Sequence, residues 1–192
     1  MREYSPLPLA LLAPGARVTE PAAPGHVTLD EPAFAVMTDL REVHAACTSP
    51  EELVDRAQAR MIERGVRLLF VLDDDAAIVG LITTTDLLGE KPMRVTAARG
   101  VTHAELIVAD LMTPAARLDS LTFQDVSQMR VGHIVATLKS IRRQHLLVSE
   151  ADGKRVRGIF SATQLARQLG MPLQTFEVAQ TFADIEAALV RT

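Results

Sequence analysis

The 192-residue chain repeats itself. Laid over itself at a shift of 78 residues, Leu68-Leu69 falls on Leu146-Leu147, Asp74 on Asp152 and Gly80 on Gly158, with no gap. Thr83 then falls on Ser161, Thr85 on Thr163 and Leu87 on Leu165. Upstream, Met37-Thr38 matches Met112-Thr113 at a shift of 75, so the second copy carries about three extra residues between its first strand and first helix. A duplicated order of elements constrains the fold before any single element does. The copies span 34–89 and 109–170, each about 60 residues. A unit of that size is marginal alone, so the two are expected to share one core.

Each copy has the same local grammar. In the first, Ser49 is a candidate cap, Pro50 suits a first helical position and Glu52 completes a capping box. Leu53, Val54, Ala57 and Met61 follow on one helical face, and Gly65 is placed to end the helix. Val66 to Leu72 and Ile78 to Ile82 are apolar runs around the acidic turn Asp73-Asp74-Asp75, which reads as paired strands. Thr83 to Leu88 starts a second helix that Gly89 stops. In the second copy, Val131, Ile134, Val135 and Leu138 make the helical face, and Leu146 to Val148 and Val156 to Phe160 are the strands. Ser161 opens a helix ended by Gly170 and Pro172. Residues 1–33 form a Pro-rich arm with a short strand at Val27 to Leu29; 90–108 connect the copies, with turns at Lys91-Pro92 and Arg99-Gly100. Within 171–192, Val178, Phe182, Ile185 and Leu189 give an amphipathic helix.

Composition removes several classes of function. With 20 Lys+Arg against 24 Asp+Glu, a net charge of -4 gives no electrostatic reason to coat nucleic acid or an anionic membrane. A single Cys, Cys47, excludes an intrachain disulfide framework and a Cys-based zinc site within one chain, and reads as a small buried hydrophobe. No run approaches the roughly 18 apolar residues of a spanning helix. Leu7 to Ala13 is apolar, but Glu3, Pro6 and Pro8 break the pattern of a secretion signal, so a cytoplasmic location is expected. The five His show no metal-ligand spacing, and there is no Walker loop, nucleophile elbow or paired-carboxylate motif, so neither a metal nor catalysis is expected.

A Met-Thr start, a helix, two strands and then Gly-hydrophobic-x-Ser/Thr-x-x-Asp, all duplicated, resembles a tandem CBS-domain (Bateman) module. The residues that carry the likeness are Val36-Met37-Thr38, Leu68 to Asp73 and Val79 to Leu88, with Leu111 to Pro114 and Arg157 to Leu165 in the second copy. The resemblance implies an α+β fold of two β-α-β-β-α repeats packed through their sheets with pseudo-twofold symmetry, flanked here by the N-terminal arm and the C-terminal helix. It also implies adenosyl ligands (AMP, ADP, ATP or S-adenosylmethionine) in clefts between the copies, and pairing into a flat homodimer. By the same resemblance, the base pocket draws on Val43 and Leu118 after each Met-Thr and on strand entries near Leu68 and Leu146.

The residues themselves support two readings. Thr83 lies where a strand becomes a helix, and its hydroxyl suits a phosphate. Asp86, one turn on, can accept from both ribose hydroxyls, and Gly80 leaves room for backbone or ligand. Equally, Thr83 can be a plain cap and Asp86 a favourable first-turn acid. In the second copy Ser161 keeps the hydroxyl but Gln164 replaces the acid, which loses charge assistance of order 1 kcal/mol. One better site, at Thr83 and Asp86, and one weaker or altered site, at Ser161 and Gln164, are expected. Arg142, Arg143 and His145, and Arg64 and Arg67 at the matching place, are phosphate candidates or helix-end cations. With no Trp and one Tyr, any adenine would sit among aliphatic groups. The function expected is a stand-alone regulatory module acting on an unidentified protein partner in trans. The alternative is a ligand-free structural or dimerisation module, and nucleic-acid binding through Arg142-Arg143 is a weaker third.

Overall fold

The computed structural model describes residues 27–170 and, before them, residues 10, 11, 13–16 and 18. Most of the Pro-rich arm and the whole helix expected at 171–192 lie outside the described residues. In chain order the elements are β1 (Thr38–Asp39), β2 (Cys47–Thr48), α1 (Val54–Arg64), β3 (Leu68–Leu72), β4 (Ile78–Thr83), α2 (Thr84–Leu88), α3 (Lys91–Arg99) and α4 (Val108–Leu111). There follow β5 (Thr113–Pro114), β6 (Ser120–Thr122), α5 (Phe123–Val126), α6 (Val131–Ile141), β7 (His145–Ser149), β8 (Val156–Ser161) and α7 (Ala162–Gln168). The fold is α+β, with two four-stranded sheets ordered β1-β8-β7-β6 and β2-β3-β4-β5.

The copies interlock. β1, from the first copy, pairs antiparallel with β8 of the second, and β5, from the second, pairs with β4 of the first. The same exchange secures the long helices. Val54 N–H donates to the carbonyl of Leu106 at 3.0 Å, and Val131 N–H to that of Glu31 at 2.9 Å. The bridges Leu53↔Ile107 and Pro32↔Arg130 are equivalent, so the pseudo-symmetry reaches upstream to Pro32 and Ile107.

These contacts move the start of the first helix. Residues 50–53 give their backbone to the segment 106–109: Val108 N–H donates to Glu52 and Ala109 N–H to Pro50. Helix α1 therefore begins at Val54 behind Leu53, not behind Ser49. Glu52 is not half of a capping box; its carboxylate accepts from Thr48 Oγ1 and from Arg60 at 2.7 Å. Two other expectations change. Lys91-Pro92 opens helix α3 rather than a turn, since a proline at the first turn loses no helical hydrogen bond. Val27 to Leu29 is not a strand; Val27 N–H caps the carbonyl of Gln168.

The register of the repeat also differs from the one the sequence suggests. β3 and β4 pair Leu68↔Thr83 and Val71↔Gly80, while β7 and β8 pair His145↔Ser161 and Val148↔Gly158. Leu69 thus corresponds to Leu146, a shift of 77, while β4 and β8 keep the shift of 78. The hairpin turn of the second copy is one residue longer. α1 and α6 follow the shift of 77 as well, and both end in a left-handed residue: Gly65 at φ 63° and Arg142 at φ 51°. That conformation costs a non-glycine residue about 1–2 kcal/mol, and here it turns Arg142 and Arg143 out at the head of β7.

Burial follows the corrected register. Leu69 and Val71 face the helices of the first copy with Val54, Met61 and Ile82; Leu146 and Val148 do the same in the second with Ile134, Leu138 and Phe160. The opposite faces meet between the sheets, where Leu68, Phe70, Leu81 and Leu147 form a separate buried cluster. Instead of one shared core there are two helix-on-sheet cores joined by an apolar seam. Runs buried on both faces have no polar alternation, which is why Leu68 to Leu72 is apolar throughout.

Candidate functional site

Two clefts open at the heads of β3 and β7. The first, cleft A, has a volume of about 610 Å³ and gathers Thr83, Asp86, Leu118, Arg142, Arg143 and His145 around Leu68 and Leu81. The second, cleft B, of about 430 Å³, gathers Val43, Arg64, Arg67, Ser161, Gln164 and, again, Leu68 and His145. Both are of a size for a small-molecule ligand. Leu68 and His145 stand at equivalent register positions, so they form the wall the clefts share.

Some expected residues lie elsewhere. Gly80 lines neither cleft; a Cβ there would come 2.7 Å from Met112 Sδ and 2.8 Å from the Thr113 carbonyl. Its missing side chain makes room for the exchanged strand β5, not for a ligand. Gly158 does the same for Met37, whose Sδ lies 2.6 Å from the position of such a Cβ. Leu146 is buried in the core of the second copy, because the shift of 77 gives Leu68's place to His145. Arg64 and Arg67 line the cleft opposite to that of Arg142 and Arg143. Val43 and Leu118 sit in connecting segments rather than on strands. A third hollow, of about 690 Å³ around Cys47, Glu52, Arg56 and Arg60, holds none of the expected site residues.

In cleft A the capping and binding geometries coexist. Thr83 Oγ1 accepts from Asp86 N–H at 3.3 Å, and Asp86 Oδ2 accepts from Thr83 N–H at 3.0 Å and from its hydroxyl at 2.7 Å. The carboxylate's other oxygen, Oδ1, takes Lys91 Nζ at 3.2 Å. Lys91 also donates to the carbonyls of Leu111 and Met112. An ionised carboxylate offers about four acceptor positions, so Asp86, part-buried, retains room for a ligand donor beside these bonds. Four further cations line the cleft: Arg94, Arg117, Arg142 and Arg143. Arg143 is positioned by donating to the Arg117 carbonyl at 3.0 Å and lies 3.6 Å from Asp119. Lys91 and Arg94 were not singled out from the sequence, because helix α3 has no counterpart in the repeat.

Cleft B is built differently. Gln164 Oε1 accepts from Thr38 Oγ1, the Thr of the first Met-Thr, at 3.1 Å. Ser161 precedes α7 without capping it. Arg67 reaches across the copies, donating to Thr84 at 3.4 Å and Thr163 at 3.3 Å. Burial lowers its pKa. His145, on the shared wall, keeps some surface at the bottom of the clefts but is crowded on most sides. Burial first, and then the nearby Arg67 charge, push its pKa down to about 4 against a smaller opposing pull from Asp86. His145 is therefore a neutral imidazole at neutral pH.

Among the described residues no group of three or more His, Cys, Asp or Glu is arranged to hold a metal ion. Among them, too, no helix is long and apolar enough to cross a membrane.

The family model of the CBS domain matches residues 27–92. No curated protein sequence matches the chain. Among solved structures, an uncharacterized conserved protein from Pyrococcus horikoshii shares the fold at 23% identity and a TM-score of 0.56, over 78% of this chain and 100% of that one. CBSX2 of Arabidopsis thaliana, solved in complex with AMP, matches at 24% identity and a TM-score of 0.50, over 71% and 94% of the two chains. A CBS-domain containing protein from Agrobacterium tumefaciens matches at 18% identity and a TM-score of 0.52, over 67% and 88%. The CBS-domain family model thus matches the first repeat, the second repeat folds as its pseudo-symmetric counterpart, and the chain shares the fold of these solved structures, a CBS-domain containing protein among them.

Proposed function

We propose that the chain is a regulatory module that senses a phosphorylated adenosyl ligand, of the AMP, ADP or ATP class, in cleft A. The observation that carries this is the lining of one cavity by a single carboxylate, Asp86, facing five cations, Lys91, Arg94, Arg117, Arg142 and Arg143. A ribose diol is a donor pair that a carboxylate accepts with charge assistance, and guanidinium groups match phosphate oxygens. The cation excess favours phosphates over the sulfonium of S-adenosylmethionine. Leu68, Leu81 and Leu118 offer the base an aliphatic rather than aromatic surface. That CBSX2, of like fold, was solved with AMP supports the reading. Occupancy would act by differential affinity for two arrangements of the repeats, read by a partner in trans, with the module paired as a cytoplasmic homodimer.

The test is calorimetry and thermal shift of the full chain with AMP, ADP, ATP, NADH and S-adenosylmethionine. A ligand at 100 times its Kd stabilises by about 2.7 kcal/mol. Asp86→Asn, which keeps an acceptor for the α2 cap, is expected to weaken binding by about 1.5–3 kcal/mol, while Gln164→Ala leaves it unchanged. Failure of every ligand to bind would overturn this function and leave an interaction module with empty clefts.

A further inference from the structure

We infer that cleft B is a separate anion site, one that takes a compact phosphate or pyrophosphate group without a ribose. Its lining contains three guanidinium groups, Arg64, Arg67 and Arg167, and no Asp or Glu. Among the described residues neither Arg64 nor Arg167 has a carboxylate partner. Both stand exposed at the rim, while Arg67 lies deeper, held against Thr163 and Thr84. In cleft A the equivalent of Arg67 is Gln144, so the two clefts differ in charge at a corresponding position of their walls.

The acceptor a ribose needs is missing. Gln164, neutral, stands where the Asp86 carboxylate stands in cleft A, and one of the two lone pairs of its Oε1 is taken by the Thr38 hydroxyl. Gln164 also offers its NH₂ group, a donor that Asp86 lacks. The Ser161 hydroxyl, unlike that of Thr83, is not used in a helix cap. Guanidinium, amide N–H and hydroxyl are all groups that donate to oxyanions, and a diol brings two more donors that would find no carboxylate. At about 430 Å³ the cavity is also smaller than cleft A. Three guanidinium groups and the lack of a carboxylate select a small anion over a nucleoside.

The inference does not depend on what cleft A binds. The experiment follows the Gln164 side-chain NH₂ and the Ser161 and Thr163 amide signals by NMR in the ¹⁵N-labelled full chain. Inorganic pyrophosphate is the phosphate probe and adenosine the diol probe. Pyrophosphate should move these signals saturably, adenosine should leave them in place, and Arg64→Ala with Arg167→Ala should raise the apparent Kd at least about tenfold. The inference fails if pyrophosphate to about 10 mM leaves these signals still, if the double variant responds as the parent does, or if adenosine moves them. Adenosyl binding in cleft A is read separately, in the Thr83, Thr85 and Lys91 signals, so the failure of one reading leaves the other standing.

Discussion

Acidification should destabilise this protein well above the range where its carboxylates protonate, and His145 sets the window. Its folded pKa is about 4, against about 6.5 for an unfolded histidine. A group whose folded pKa is depressed binds its proton first in the unfolded state, so its stability contribution is complete above pH 6.5 and is lost as the pH falls. The slope approaches about 1.4 kcal/mol per pH unit. The loss is about 2 kcal/mol at pH 5 and levels off near 3 kcal/mol below pH 4. Asp39, Glu52 and Glu105 have pKa values below the ordinary carboxylate range, so their contributions are lost only at still lower pH. The window from pH 6.5 to 5 thus separates the histidine from these three carboxylates, and a variant without the imidazole isolates its share. The matched control is His145→Leu, which installs the residue that Leu68 already provides at the equivalent register position. Urea denaturation of both proteins at pH 7.5, 6.5, 5.5 and 5.0 gives the slopes. The parent should lose about 2 kcal/mol more than the variant between the ends of that range. Parallel curves would refute the reasoning, and would mean that the imidazole is solvated enough in the clefts to charge freely.

The exchanged strands and the ion pair that holds one of them can be tested directly. Gly80→Ala drives a Cβ to 2.8 Å from the Thr113 carbonyl, a backbone atom of β5 that cannot swing aside, so it should cost about 3 kcal/mol or more by denaturation. For Gly158→Ala the three nearest atoms are all in the flexible Met37 side chain, so it should cost nearer 1 kcal/mol, most of it recovered in combination with Met37→Ala. Asp39 receives a bidentate pair of bonds from Arg157, at 3.0 and 2.6 Å, across the β1–β8 junction, and Arg157 also lies 4.8 Å over the Phe123 ring. Arg41 N–H and Arg157 hold the Asp39 pKa down. Arg157→Met should therefore lower the melting temperature at pH 7, move the Asp39 pKa upward in a carboxyl NMR titration, and lessen the stability lost as the pH falls through that pKa.

The duplication was legible because it is written in glycines, turn residues and apolar runs, which the fold uses for the same purposes in both copies. Gly158 recurs with Gly80 because each must admit a crossing methionine. The register was not legible, since Leu68-Leu69 and Leu146-Leu147 look alike at a shift of 78 although the strands pair at 77. Two leucines in succession carry no polar alternation, and only the buried faces, Leu69 with Leu146, decide. The exchange of β1 and β5 left no mark either: strands of two residues have no pattern, and Met-Thr reads the same whichever sheet it joins. Lys91 could not be found by matching copies, because Leu169 stands 78 residues on and the connector repeats nothing.

That limit bears on how the two clefts came to differ. A common backbone frame places Thr83 with Ser161, Asp86 with Gln164, Leu68 with His145 and Gln144 with Arg67. None of these pairs is isoelectrostatic except the first. Swapping an acid for an amide removes one negative charge from cleft B, and placing Arg67 where cleft A has Gln144 adds a positive one. The frame accommodates both changes, since Gln164 Oε1 accepts from Thr38 and Arg67 donates to Thr84 and Thr163. Nor does packing alone favour His145 over a second leucine, because a buried imidazole costs stability at acidic pH. The asymmetry therefore lies in these substitutions on the shared frame as well as in helix α3, which brings Lys91 and Arg94 to cleft A alone, and a shared wall of Leu68 and His145 means that charge brought into either cleft acts on the same imidazole.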